Sequence, residues 1–247
     1  MSYEKECDEA VRDYWRVLAG QKRKQEEFGA VDQGRRSEST GGKQMDSLAN
    51  LITQVFKDEG FPDESIRLRG DRNVPGYFRP TKEWDLLVVH KETLVAAVEL
   101  KSIASSFGNN TNNRIEEALG VSEDLLTSYR EGVFGTIKPW LGYLFMISAE
   151  EKSSKPTQLN KTTLPVNEAF LNPESRSRKD RGVSYQERAE IFCRRLVLEQ
   201  LYDAACFVVS SKDTEASVLQ PADDLTFVRF VASIKGHARY VLALDET

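Results

Sequence analysis

At 247 residues, 40% of them hydrophobic, the chain has enough apolar material for one substantial core. A formal net charge of -5 excludes an indiscriminate basic coat for nucleic acid, though not an enzyme with a basic cleft. Three cysteines (Cys7, Cys193 and Cys206) at unrelated spacings make neither a zinc pattern nor a disulfide framework, and no signal core or membrane-length apolar run is present, so a reducing cytoplasm without a membrane anchor is the expected setting.

The pattern along the chain is α/β, without internal repeats. Residues from about 3 to 28 read as a charged helix with Val11, Tyr14, Trp15 and Leu18 as its apolar stripe. A Gly-, Ser- and Arg-rich link at 34–42 leads to a second helix over about 44–59. There Met45, Leu48, Ile52 and Phe56 recur at helical spacing until Gly60-Phe61-Pro62 stops them. Ser65 to Arg69 alternates apolar with basic and reads as a strand that puts Arg67 and Arg69 on one face. A hairpin over 86–100 comes next, then a helix over about 109–130. Trp140 to Ser148 is a continuous apolar strand, expected at the centre of the sheet. After a long polar stretch, a helix over 185–202, a strand at 204–210 and a helix over about 225–243 complete the chain.

The hairpin carries the chemistry. Leu86 to His90 and Leu94 to Leu100 are rich in Val and Leu and are joined by Lys91-Glu92-Thr93. Pairing His90 with Leu94 puts Asp85 opposite Glu99 and Glu83 opposite Lys101, with directly opposed side chains ~5 Å apart at Cβ. Alternation places Glu99 and Lys101 on one face and Val98 and Leu100 on the other; a slip of one residue would part Glu99 from Asp85. Two carboxylates so placed suit Mg²⁺, which polarises a phosphoryl oxygen and lowers the pKa of a bound water. A neighbouring lysine orients the attacking water and offsets developing charge. Acids at strand ends are commonly solvated, and this spacing also arises by chance. Their position beside apolar strands, where unpaired charge is costly, favours a site.

Other hydrolytic architectures fit poorly. His90 is followed at once by Lys91, which is not the His-x-Lys-x4-Asp spacing of a phospholipase D-type nuclease. Two distant histidines, His90 and His237, do not supply a His-rich ββα metal site and read as structural. There is no Gly-x4-Gly-Lys-Ser/Thr loop for an ATP-driven enzyme.

Asp85, Glu99 and Lys101 match the PD-(D/E)xK nuclease motif, with Trp84 standing where proline is usual. The run from Pro75 to Asp85, then Ala96 to Ser102, then Ser106 to Gly120, resembles the XhoI family of type II restriction endonucleases; Gly41 to Asp46 is also similar. The resemblance lies in the central third of the chain and is weak over the last 70 or so residues. It implies a restriction-endonuclease-like core with a central mixed β-sheet flanked by helices, spanning residues 1–247 as a single endonuclease domain. Within it, 1–43 would be N-terminal helix and link, 44–148 catalytic core, 150–182 a polar and basic loop, and 183–247 a C-terminal α/β part. Asp85, Glu99 and the Leu100 carbonyl would hold Mg²⁺, and Lys101 would act on the water. A homodimer would cut both strands of a palindrome, CTCGAG, leaving 5′-phosphates. A cognate DNA methyltransferase in the host, though not as a stable subunit, is implied because unprotected sites would be cut. The alternatives are another PD-(D/E)xK nuclease, for repair or junction resolution, or a catalytically idle DNA-binding module of the same fold.

Further candidates lie beyond the motif. Asn109, Asn110, Asn112, Asn113 and Arg114 suit contacts to adenine or phosphate, although asparagine is also favoured in turns and caps. Asp46 and Glu116 could add accessory acids, and both also fit ordinary helix-start positions. Residues 150–182 are polar, contain Pro156, Pro165 and Pro173, and end in Arg176, Arg178, Lys179 and Arg181. Either a solvated charge run or a segment that grips the DNA backbone fits that composition.

Overall fold

A computed structural model describes residues 2–27, 43–157, 177, 182–213 and 215–245. Among these residues six strands form a mixed sheet: β1 (Ile66–Arg67), β4 (Leu86–His90), β5 (Thr93–Ile103), β6 (Trp140–Ser148), β7 (Ala204–Ser210) and β8 (Val218–Leu219), adjacent in that order. β1, β4 and β5 are antiparallel neighbours, β5, β6 and β7 run parallel, and β8 returns antiparallel at the far edge. A separate two-stranded hairpin, β2 (Asn73–Pro75) and β3 (Thr81–Glu83), stands beside the sheet.

Helices cover both faces. On one side α1 (Tyr3–Glu27), α2 (Asp46–Asp58) and α6 (Phe227–Leu244) pack Val11, Ile52 and Phe230 against Val98, Leu144 and Cys206 of the sheet. On the other, α3 (Phe107–Arg130) and α5 (Tyr185–Leu198) pack Leu125 and Phe192 against Ala97, Tyr143 and Phe207. The short α4 (Glu151–Ser154) follows β6. Every residue of β6 and β7 is buried. Strands covered on both faces need unbroken apolar runs, which is why Trp140–Ser148 reads as central. All three cysteines are buried and free, and burial raises the thiol of Cys7 to about 12.

The β4–β5 hairpin departs from the expected three-residue loop. His90 pairs with Thr93, so the turn has two residues, Lys91 and Glu92, with φ of 47° and 63°. Two left-handed residues make the hairpin turn whose twist matches the strands, here without glycine. A bulge between Val88 and Val89 then restores the register, so that Val88 faces Ala96 and Leu86 faces Val98. The Leu86–Val98 pair is in the register that the spacing predicts, and Asp85 follows it just outside the ladder, beside Glu99 and Leu100. The extra residue, Val95, leaves a free carbonyl, which accepts a hydrogen bond from His237 Nε2 at 3.0 Å. His90 is held by Ser65 Oγ at 3.0 Å and Asp245 at 2.9 Å. Both histidines are thus engaged in contacts within the fold, away from Asp85 and Glu99.

Two further expectations need correction. Glu83 does not face Lys101, because β4 begins only at Leu86 and β3 pairs with β2, where Glu83 faces Asn73 and binds Arg72. The helix expected from Asn109 starts two residues earlier at Phe107, with the left-handed Ser106 as its N-cap. The asparagine run thus lies inside the first two turns of α3, and it is not the cap.

Candidate active site

The site lies at the start of β4, where β5 runs on past it. Leu86, the first residue of β4, makes the outermost pair on this side, opposite Val98, so among the described residues Leu100 has no backbone partner there. Its N–H instead donates to Asp85 Oδ2 at 2.8 Å. A strand residue points N–H and C=O to the same side, so the Leu100 carbonyl also faces the space beside Asp85. Arg72 fixes the turn into the strand by donating to the Asp85 carbonyl at 3.2 Å.

Glu99, 1% exposed, stands next to this pair on the α3 face of the sheet. Two ammonium groups hold it: Lys101 contacts Oε2, and Lys82, from β3, reaches Oε1 at 2.6 Å. Lys101 Nζ also lies 3.6 Å from Asp85 Oδ2, so one lysine spans both acids. The charges divide the acids. Burial pushes the Glu99 carboxyl up, but Lys101 and then Lys82 outweigh it and hold the group below its usual range. At Asp85 burial and the charge of Glu99 win, and the carboxyl is raised. Lys101 loses by burial and gains more from Glu99 and Asp85, so its ammonium is strengthened.

The donor set fits a hard divalent cation. It offers two carboxylates and a free-facing carbonyl, and Asp85 carries a penalty that added positive charge would relieve. Among the described residues no group of three or more His, Cys, Asp or Glu side chains is arranged to hold a metal. Beside Glu99 and Lys101, a cavity of about 320 Å³ is lined by Arg79, Arg114, Glu116 and Tyr143. The Tyr143 hydroxyl is buried and has no hydrogen-bond partner among the described residues, leaving it open to a water or phosphate oxygen. On the other side Asp85 and Leu100 line a depression of about 600 Å³ with Lys43, Asp46, Arg69 and Arg72.

The other sequence candidates are distributed around this centre. Asp46 starts α2 and lines the depression with Asp85, but its carboxylate pairs with Arg69 at 3.2 Å. Glu116 is exposed at the rim of the smaller cavity. Arg114 lines that cavity and pairs with Glu117. Asn109, Asn112 and Asn113 are exposed on successive turns of α3, while Asn110 donates to the Ser105 carbonyl at 2.7 Å. Arg176, Arg178, Lys179 and Arg181 lie outside the described residues.

Lys82 is the site residue that motif reading misses. It comes from a hairpin outside the main sheet, so strand alternation from Asp85 does not find it. The residue that departs from the usual motif gives the clue. Trp84, 1% exposed, lies with its ring 5.2 Å from Lys82 Nζ, and this cation–π contact seats the ammonium over Glu99.

A mixed sheet that brings two carboxylates and a lysine together at the end of one strand and the middle of the next is the architecture of the PD-(D/E)xK nucleases. The match to known proteins is narrower. The chain belongs to the XhoI restriction endonuclease family, whose model matches residues 24–219. It is 38% identical over 222 residues to the type II restriction enzyme BstVI of Geobacillus stearothermophilus, covering 86% of this chain and 95% of that one. Over 170 residues it is 41% identical to the type II restriction enzyme XhoI of Xanthomonas vasicola, covering 67% of this chain and 64% of the relative. It is 42% identical over 156 residues to AbrI of Azospirillum brasilense, covering 62% and 70% respectively. No solved structure matches the chain significantly. Family membership makes this chain a site-specific nuclease of double-stranded DNA.

Proposed function

We propose that this chain is a Mg²⁺-dependent type II restriction endonuclease that cuts both strands of CTCGAG and leaves 5′-phosphates. It would act as a cytoplasmic homodimer, since a palindrome is matched by two-fold protein symmetry, with a cognate methyltransferase protecting host sites. The observation that carries the reading is the convergence of Asp85, Glu99 and Lys101 on one point. Among the described residues no helix is long and apolar enough to cross a membrane, in keeping with an enzyme that meets DNA.

Asp85, Glu99 and the Leu100 carbonyl would hold the metal. Bound there, Mg²⁺ supplies charge neutralisation at the phosphate and an acidified water. Lys101 has its ammonium between the two acids, where it orients the attacking water and offsets charge as the phosphorus becomes five-coordinate. Tyr143 and Arg114 line the same cavity and would hold a phosphate oxygen. Asn109, Asn112, Asn113 and Arg114 would meet DNA along α3, and Arg176, Arg178, Lys179 and Arg181 would follow its backbone.

Digestion of phage DNA tests the function as a whole. With Mg²⁺, discrete fragments whose ends all map to CTCGAG are expected; random nicking, or cutting only at branched DNA, would place the chain elsewhere in the superfamily. Mn²⁺ should replace Mg²⁺, while Ca²⁺ should support binding with little cutting, because it holds oxygen ligands in looser geometry and activates water less. Cutting that survives excess chelator contradicts the carboxylate–metal reading.

Lys82 has a separate expected signature. Lys82→Ala leaves buried Glu99 with one counter-charge, which should cost about 2 kcal/mol, or ~4–8 °C in Tm, in chelator. Mg²⁺ replaces the missing charge, so saturating metal should recover most of the loss. A variant that melts equally low with and without metal would mean that Lys82 only packs against Trp84.

A further inference from the structure

The same hairpin that delivers Lys82 ends in an apex that the metal site does not explain. Tyr77 and Phe78 are 55% and 69% exposed, side by side, with their rings edge to face at 4.9 Å. Scattered exposed apolar residues need no explanation, but this pair is held in place by a buried charge. Asp124 of α3, 1% exposed, accepts from the backbone N–H of Tyr77 at 2.8 Å and of Phe78 at 2.7 Å, and pairs with Arg79 Nε at 2.8 Å. Gly76 completes the clamp: a Cβ there would meet Asp124 Oδ2 at 2.6 Å and the Arg79 carbonyl at 2.7 Å. A carboxylate removed from water spends its bonds on the backbone of two residues whose rings remain in water. The backbone of the apex is thereby fixed while both rings face solvent.

The position of the apex identifies the partner. Phe78 is four residues from Lys82, so their Cα atoms lie at most ~14 Å apart. That reach is close to the ~12 Å width of a DNA major groove, so a duplex with a phosphate at Glu99 brings its base edges to the apex. Arg79, next to Phe78, lines the cavity that contains Glu99, which makes the apex and the metal site one continuous surface. Aromatic side chains at such a place insert at base steps or stack on bases.

We propose that the Tyr77–Phe78 apex is a DNA wedge, in which Phe78 unstacks a base step beside the cleaved phosphodiester and Tyr77 braces its ring. The proposal rests on the reading of Asp85 and Glu99 as the cutting site. If wild-type protein fails to cut DNA, that reading fails first and independently of the wedge.

The test uses full-length protein in an Asp85→Asn background, with duplexes cut by the wild type and carrying 2-aminopurine in turn at each adenine in and beside the site. The parent should raise the fluorescence of at least one position next to the cut. Adding Phe78→Ala should abolish that rise and weaken binding about tenfold or more, while Phe78→Trp should retain both. Because Phe78 is exposed, the melt should move little. Unchanged fluorescence and affinity in Phe78→Ala would overturn the wedge. So would an affinity loss without any fluorescence rise in the parent, or a change in oligomeric state, which would assign the apex to a protein interface.

Discussion

Asp85→Asn is expected to cut DNA on the order of 10³-fold more slowly than wild type, or worse, and yet to melt higher in chelator. The rate falls because a neutral amide neither holds the cation nor helps activate water. The stability rises because Asp85 is raised by burial and by the charge of Glu99, so its ionised form opposes folding. A carboxyl whose folded pKa exceeds its unfolded value destabilises the protein above the folded pKa, and the penalty disappears below the unfolded one, near 3.9. The difference between variant and wild type should therefore be present at neutral pH and close as the pH falls toward 4. The side chain is 38% exposed, so solvent screens part of the repulsion, and a gain of about 2–4 °C is the expected scale. Asn can still accept the hydrogen bond from Leu100. Thermal melts in chelator with and without the substitution would show the effect; a variant less stable than wild type at pH 7 would mean that the acid is paired more strongly than it is repelled.

Glu99→Gln should behave in the opposite way. It too should abolish cutting, but it removes the common counter-charge of Lys82 and Lys101. Breaking a buried pair from one side typically costs ~3–5 kcal/mol, and the partial exposure of both ammonium groups places this change near ~3 kcal/mol. The sign with pH follows from the lowered carboxyl of Glu99. Its contribution is complete above the unfolded value, near 4.3, and is lost as pH falls through the folded value below it. On the proposed reading the two acids of one motif divide: Asp85 would be a functional acid held at a cost to stability, and Glu99 would be functional and structural together. Equal melting of Glu99→Gln and wild type at pH 7 in chelator would refute that division.

Much of this was legible in the residues themselves. Apolar runs without alternation marked β6 and β7 because both their faces are covered, and helical spacing marked α2 because one of its faces is. The register that brings Asp85 beside Glu99 was readable despite a wrong turn. The two-residue loop and the bulge at Val88/Val89 shift the register in opposite directions and cancel before the site. The hairpin of β2 and β3 was not readable. Its three-residue strands are too short to show a period, and Asp124, which clamps its apex, comes from a helix 46 and 47 residues further on. Lys82 was missed for the same reason. The start of α3 was misplaced because four asparagines suggest a cap, while Ser106, in a left-handed conformation, fills that position.

Equilibrium binding of Mn²⁺, followed by loss of its free-ion paramagnetic resonance signal in the presence of uncut duplex, tests most directly whether Asp85 and Glu99 form the metal site. The wild-type protein should bind Mn²⁺ in competition with Mg²⁺, and Asp85→Asn and Glu99→Gln should each lose that binding while still binding the duplex. Mn²⁺ binding retained at wild-type strength in either variant would show that the cation is held elsewhere.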